Sequence, residues 1–278
     1  MKKKEFDNII KEKLEGFEYP SDPPLGSWSK VKGAIPASKK SKEQTKVIPL
    51  KTYWYAVAAS VIVIIGLFIG LNSTSTYTTQ HGEHLAITLP DGSTVRLNAA
   101  SKLSYKRFFW KNNRTIHLEG EGYFEVGKGK KFTVSTSYGT VAVLGTKFNV
   151  KSRTQSFEVN CFEGTVRFDN AEKTAYNLLY ENDHIEILDN VLSQGKANTG
   201  IPSWVNGMST FEERPLQEVI EELQLQYNIT FKSDKTDLTK VYSGTFIHDN
   251  LEIALKTTLS PMGIPYTLSK DKTTVRLP

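Results

Sequence analysis

Apolar and polar positions follow three different rhythms along this chain, and each predicts a different kind of element. Between Tyr53 and Leu71, YWYAVAASVIVIIGLFIGL, the run is apolar without a period and carries no charge. As a helix it would extend roughly 28 Å, close to the hydrocarbon thickness of a bilayer. A buried core helix is the alternative, but such helices are seldom apolar all round, and Tyr53, Trp54 and Tyr55 suit an interfacial aromatic belt. A cleaved signal peptide is disfavoured by the polar residues before the run and the lack of a small-residue cleavage pattern after it. The run is therefore expected to be a retained single membrane span.

From Leu85 the apolar residues recur at every second position. In LAITLPDGSTVRLN, Leu85, Ile87 and Leu89 precede Asp91-Gly92 and Val95 and Leu97 follow, which predicts two strands joined by a tight turn. TIHL, YFEV, KFTVST, GTVAVL, KFNV, FEVNCF, GTVRF and HIEIL continue the pattern and predict an all-β domain over 85–200, a sandwich or a solenoid-like stack. The preceding NSTSTYTTQ lacks such a period, so 72–84 is expected to be a tether.

After Trp204 the period becomes helical. Leu216, Val219, Ile220, Leu223 and Tyr227 form one stripe behind Pro215, with Glu218, Glu221 and Glu222 pointing elsewhere, and NITFK follows as a strand. Leu251, Ala254, Leu255 and Leu259 form a second stripe, followed by PYTL. Two copies of a helix-then-strand unit predict a small α+β module over 201–278.

Charge adds a direction. Residues 1–52 hold 12 Lys and Arg against 7 Asp and Glu, leaving 23 of each in the remainder, so the net charge of +5 lies wholly before the span. Lys39, Lys40, Lys42, Lys46 and Lys51 stand just ahead of it, which by the positive-inside tendency places the N-terminus in the cytoplasm. Nucleic-acid binding is the competing reading of a basic segment, but acidic residues are interspersed and no DNA- or RNA-binding motif is present. Within 1–52, Phe6, Ile9, Ile10, Leu14 and Phe17 fall at helical spacing, and Trp28, Val31 and Ile35 make a shorter stripe after YPSDPPLGS. Two stripes are too little for an independent core. Such a segment folds into a partner's groove, stays disordered, or lies on the membrane surface.

Candidate chemistry is sparse. His81 and His84 in HGEH have no evident third ligand, so no metal is expected. Glu119 and Glu125 share the parity opposite to Ile116, Leu118, Phe124 and Val126 and read as a solvated strand face. The glycines of GEGYFEVGKGK do not open a helix, which argues against a phosphate cradle. The single cysteine, Cys161, excludes an intramolecular disulfide and reads as a small buried apolar side chain. No nucleophile-base spacing is apparent, so the chain is not expected to be an enzyme or to need a cofactor.

Several spaced motifs resemble one family. LPDGSTVRLNAASKLSY (Leu89 to Tyr105), LEGEGYFEV (Leu118 to Val126), FTV (Phe132 to Val134), VLGTKFNV (Val143 to Val150) and EGTVRF (Glu163 to Phe168) closely resemble the FecR family of membrane-anchored sigma-factor regulators. SWVNGMSTFEERPLQEVIEELQLQYNI (Ser203 to Ile229) and the rest of the chain look like the C-terminal domain of Bacteroidetes-type members, itself similar to the small signalling domains of secretins and TonB-dependent transporters. The resemblance implies a single-pass inner-membrane protein with a periplasmic C-terminal part. It implies an anti-sigma factor that holds an extracytoplasmic-function sigma factor inside, a role expected to fall to the stripe residues Phe6, Ile9, Ile10, Leu14, Phe17 and to Trp28, since the resemblance matches no motif there. Outside, it implies contact with the signalling domain of an outer-membrane TonB-dependent transporter. The alternative is a cell-envelope module that binds a glycan or an assembly partner. Longer relatives carry a larger cytoplasmic domain, whereas only about fifty residues precede the span here. Some members of the family are thought to cleave themselves at a Gly-Thr bond, and Gly145-Thr146 occupies the matching motif. The structural alternative is a glycine at a bend between two strands.

Overall fold

The computed structural model describes residue 11, residues 50–71 and, apart from short breaks at 72, 109, 155, 189–190, 197–199 and 234, residues 73–278. The chain divides into two compact units, Met1–Ala58 and Ala59–Pro278. Phe6, Ile9, Ile10, Leu14, Phe17 and Trp28 lie outside the described residues.

The apolar run forms α1 (Leu50–Leu71). Its described side chains face outward whatever their position around the axis: Trp54 is 71% exposed, Ile62 69% and Ile64 64%. Among the described residues no helix is long and apolar enough to cross a membrane. The described side chains of α1 are interrupted at 56 and 69.

Alternation produces thirteen strands in the β-rich part: β1 (Thr74–Thr78), β2 (Leu85–Thr88), β3 (Thr94–Leu97), β4 (Lys102–Lys106), β5 (Arg114–Glu125), β6 (Phe132–Ser135), β7 (Gly139–Val143), β8 (Lys147–Ser152), β9 (Ser156–Glu163), β10 (Val166–Asn170), β11 (Tyr176–Leu179), β12 (Asp183–Leu188) and β13 (Val191–Lys196). They make one curled sheet with two faces in contact, β1-β4-β5-β6-β7-β10-β11 and β2-β3-β5-β8-β9-β12-β13, sharing the long β5. All pairs are antiparallel except β5 with β6.

The shared strand changes partners at Gly120. Glu119 still faces Lys102 of β4, whereas Gly120 faces Ser152 of β8. Gly120 takes a φ of 98°, and a Cβ there would stand 2.7 Å from Ser101 Cα, so the bend needs glycine. Inward-facing side chains from both faces fill a single core, with Phe124 stacked on Phe148 at 5.0 Å and Phe157 against Phe168 at 4.8 Å. Cys161 is fully buried there, and burial pushes its thiol up to about 11, so it remains a protonated packing group. The two-faced sheet decides the architecture that alternation left open.

The expected tether is a correction. Its Thr74–Thr78 segment is β1, paired residue for residue with β4, and Tyr77 stacks on Tyr105 at 6.3 Å. Threonine and tyrosine suit a pleated edge even where no aliphatic alternation advertises it.

A 3-10 turn (Ser203–Asn206) leads into β14 (Met208–Pro215), α2 (Leu216–Tyr227), β15 (Thr230–Ser233), β16 (Val241–Ile247), α3 (Leu251–Leu259), β17 (Thr267–Leu268) and β18 (Thr274–Leu277). Strands β14 and β16 pair, and β18 lies between β15, parallel to it, and β17. Pro215 ends β14 and stands at the N-cap of α2 with ψ 139°, one position before the helical turn it was expected to occupy. Asn228 closes that helix in the left-handed conformation, and the Asn250 side chain accepts from the Ile253 amide to start α3. Both apolar stripes meet Phe246 and Val275 in a second core, distinct from the first.

Candidate functional site: a buried polar seam

Where the second core meets the β-rich part, the contact is polar. On the β side, Glu121 of β5 accepts from Asn98 Nδ2 at 2.9 Å and from Asn149 Nδ2 at 2.8 Å. Asn98 Oδ1 in turn accepts from Gln226 Nε2 of α2 at 2.8 Å, and the same nitrogen reaches Glu222 Oε1 at 2.8 Å. Ser209 on β14 bridges Glu222 Oε1 at 3.4 Å and His248 Nε2 at 2.9 Å. All of these side chains but His248 are more than nine-tenths buried.

The HGEH turn docks on the end of α2. Gly82 N–H donates to the Leu225 carbonyl at 2.9 Å, satisfying a carbonyl that the end of the helix leaves open. A Cβ on Gly82 would stand 2.7 Å from the Gln226 carbonyl oxygen. His84 Nε2 lies 3.2 Å from Gln226 Oε1, with its ring against Trp204 at 5.7 Å and His248 at 5.5 Å. Among the described residues no cluster of three or more His, Cys, Asp or Glu could hold a metal.

Charges are distributed unevenly along the seam. Burial pushes the Glu121 carboxyl above its ordinary range, against the pull of Lys151. At Glu222 burial acts in the same sense, but Lys151 and Arg153 overcome it and hold the group low. Burial lowers His248 to about 4, so this ring is neutral at physiological pH. Arg153 donates to the carbonyls of Ala99 and Ala100, fixing the turn that presents Asn98. Farther along, Arg214 bonds Glu186 of β12 on one side and Glu218 of α2 on the other. A cleft of about 450 Å³ opens beside these groups, with Asn149, Lys151, Trp204 and Arg214 in its wall.

Ser209, His248 and Glu222 superficially offer a nucleophile, a base and an acid. Hydrolytic triads need the acid to hold the far nitrogen of the histidine, whereas here Glu222 bonds the serine and His248 Nδ1 has no hydrogen-bond partner among the described residues. The arrangement joins two folded parts.

Gly145 and Thr146 lie between β7 and β8, remote in sequence from every residue of the seam except Asn149 and its neighbours. Thr146 is 3% exposed, and its Oγ1 donates to the Thr165 carbonyl at 3.1 Å. Attack on the preceding carbonyl needs a base to receive that proton, and a carbonyl oxygen is a poor one. A Cβ on Gly145 would meet Lys128 Cα at 2.7 Å, so close backbone approach already accounts for the glycine. Glu119 and Glu125 are exposed as expected, but Glu121 between them and Glu222 on α2 are buried. Asn98, Gln226, His248 and Arg214 were not singled out by the sequence patterns, because their partners are far away along the chain.

The matched family model is described as FecR protein and covers residues 75–167, which run from β1 into β10. No curated protein matches the chain. Two crystal structures of a proposed anti-sigma factor from Parabacteroides distasonis ATCC 8503, at 2.50 Å and 1.65 Å resolution, share its fold. The first is 28% identical with a TM-score of 0.68 and is matched over 74% of this chain and 98% of its own. The second is 27% identical with the same TM-score, over 73% and 98%. The chain thus carries a FecR domain over residues 75–167, set within a fold that it shares with both of these structures.

Proposed function

We propose that this protein is a membrane-anchored anti-sigma factor that relays a signal from an outer-membrane TonB-dependent transporter to a cytoplasmic extracytoplasmic-function sigma factor. The observation that carries the reading is the likeness of its folded part, over 98% of their length, to structures of a proposed anti-sigma factor. Support for the anchor comes from α1, whose exposed side chains such as Trp54, Ile62 and Phe68 are apolar and would be costly to leave in water. The lysines before it favour a cytoplasmic N-terminus and a periplasmic β domain.

In this reading residues 1–36 fold onto the sigma factor. Phe6, Ile9, Ile10, Leu14 and Phe17 fill an apolar groove, Trp28 is a second anchor, and the surface needed by RNA polymerase is covered. The C-terminal module receives the transporter's signalling domain by pairing strand edges. The polar seam then couples the receiver to the β domain, because a buried network is rigid when satisfied and costly when partly broken.

A peptide of residues 1–36 titrated with the purified sigma factor encoded nearby tests this directly. Binding with induced helix is expected, and Trp28→Ala should weaken it by roughly thirtyfold. Absence of binding at high micromolar concentration would sink the anti-sigma reading. Deleting residues 204–278 should separately abolish capture of the transporter while leaving the protein in the membrane fraction.

A further inference from the structure

The outward surface of β5, β6, β7 and β10 is a broad groove of about 1360 Å³, walled by the turns at 112–113, 128–131, 144–146 and 164–165. Five cations line it, Arg114, Lys128, Lys131, Arg167 and Lys173, against one acid, Asp169. Residues 72–278 as a whole carry 23 basic and 23 acidic residues, so this is a local segregation within a neutral region.

The two arginines are already committed. Arg114 pairs with Asp91, and Arg167 pairs with Asp169 at 2.6 Å while stacking over Tyr176. Lys128, Lys131 and Lys173 make no ion pair among the described residues, although Lys131 and Lys173 act on Asp169 through space. The lining also includes Thr115, whose hydroxyl donates to Asn113 Oδ1, with Thr133 and Thr140, and Leu144 is 64% exposed. Four neighbouring strands span about 14 Å, the length of roughly four extended residues.

We propose that this groove docks an extended, acidic segment of a protein partner. Carboxylates of the segment meet Lys128, Lys131 and Lys173, its main chain meets the threonine hydroxyls, and one apolar side chain covers Leu144. A peptide presents all three kinds of group at strand spacing. A membrane headgroup layer or a single phosphate offers neither a strand-spaced main chain for the threonines nor an apolar side chain for Leu144. The inference stands apart from the anti-sigma reading, since it concerns a different face and needs no sigma factor.

The test uses the full chain in an uncharged detergent and a fluorescein-labelled peptide of alternating glutamate and valine, followed by anisotropy. Binding is expected at about 0.05 M salt, weakening roughly tenfold at about 0.5 M as the charges are screened. Replacing Lys128, Lys131 and Lys173 together by Glu should abolish it, and replacing them by Gln, which leaves no repulsion to disturb folding, should weaken it at least tenfold. Lys232, Lys240 and Lys270 changed to Glu serve as the control and should bind as the parent does. Undiminished binding by the Gln variant overturns the proposal, as does no binding by the parent. Capture of phosphatidylglycerol vesicles through the same lysines without peptide binding would overturn it in favour of a lipid surface.

Discussion

Gln226 Nε2 donates to Asn98 Oδ1 at 2.8 Å across 128 residues of sequence, tying the first helix of the C-terminal module to the β2–β5 part of the sheet. The same nitrogen serves Glu222, and the amide oxygen lies beside His84. Replacing Gln226 by Ala therefore takes one donor each from a buried carboxylate and a buried amide oxygen, which keep only the Ser209 hydroxyl and the Ala99 amide. A loss of about 2 kcal/mol in urea unfolding is expected. Trypsin cleavage near Lys196 should quicken at the same time, and unchanged stability would mean that the seam contributes no coupling.

Arg214 bears on the seam from its other end. Arg214→Met leaves Glu186 and Glu218 facing each other without their cation, and both are largely buried, at 12% and 13% side-chain exposure. Destabilisation of about 2–3 kcal/mol is expected. Adding Glu186→Gln to that variant removes one of the two stranded charges and should recover part of the loss. A double variant no more stable than the single one would contradict this account.

His248 predicts a pH dependence of definite sign. Its folded pKa, about 4, lies below the ordinary 6.5, so the unfolded chain binds the proton more readily between those values. The resulting stabilisation is fully present above pH 6.5 and is lost as pH falls toward 4. Discounted for the partial solvent access of the ring, it amounts to about 1–2 kcal/mol. Urea midpoints of the parent should fall across this window, and His248→Gln should flatten the decline. Equal slopes for both proteins would rule out the histidine as its source.

Gly120→Ala tests the bend in β5. The substitution adds a methyl group against the Ser101 backbone at a φ of 98°. A loss of about 2–3 kcal/mol is expected, with expression falling accordingly. Gly92→Ala is the comparison: φ is 83° there but nothing lies within 4 Å of the added Cβ, so the cost should be smaller. Thermal melts of the two variants give the difference.

Elements that bury a regular stripe were legible in the sequence. Leu216, Val219, Ile220 and Leu223 announced α2, and all four are buried in the second core. Ile87, Val95 and Leu97 announced the hairpin around Asp91-Gly92, which forms as β2 and β3 with Ile87 opposite Val95. Strand β1 escaped because Thr-Ser-Thr-Tyr-Thr shows its inward face only through Thr76-flanking hydroxyls and one tyrosine. The seam escaped for a different reason. Glu222 lies off the apolar stripe of α2, where a carboxylate ordinarily meets water, and only a second module covering that face reveals that it does not. His84 was visible as part of HGEH, but the residues it touches, Gln226 and His248, lie well over a hundred positions away.

Both faces of the β-rich part hold half of the same strand. Residues 114–119 of β5 complete one face and residues 120–125 the other, so detaching either strips the template from its neighbour. Loss of one face cannot then be a stable intermediate, and the thirteen strands should melt in a single cooperative transition. A protease that nicks an outer loop would meet an all-or-none object. Damage to the β-rich part would be cleared as a whole rather than leaving a half-folded remnant in place.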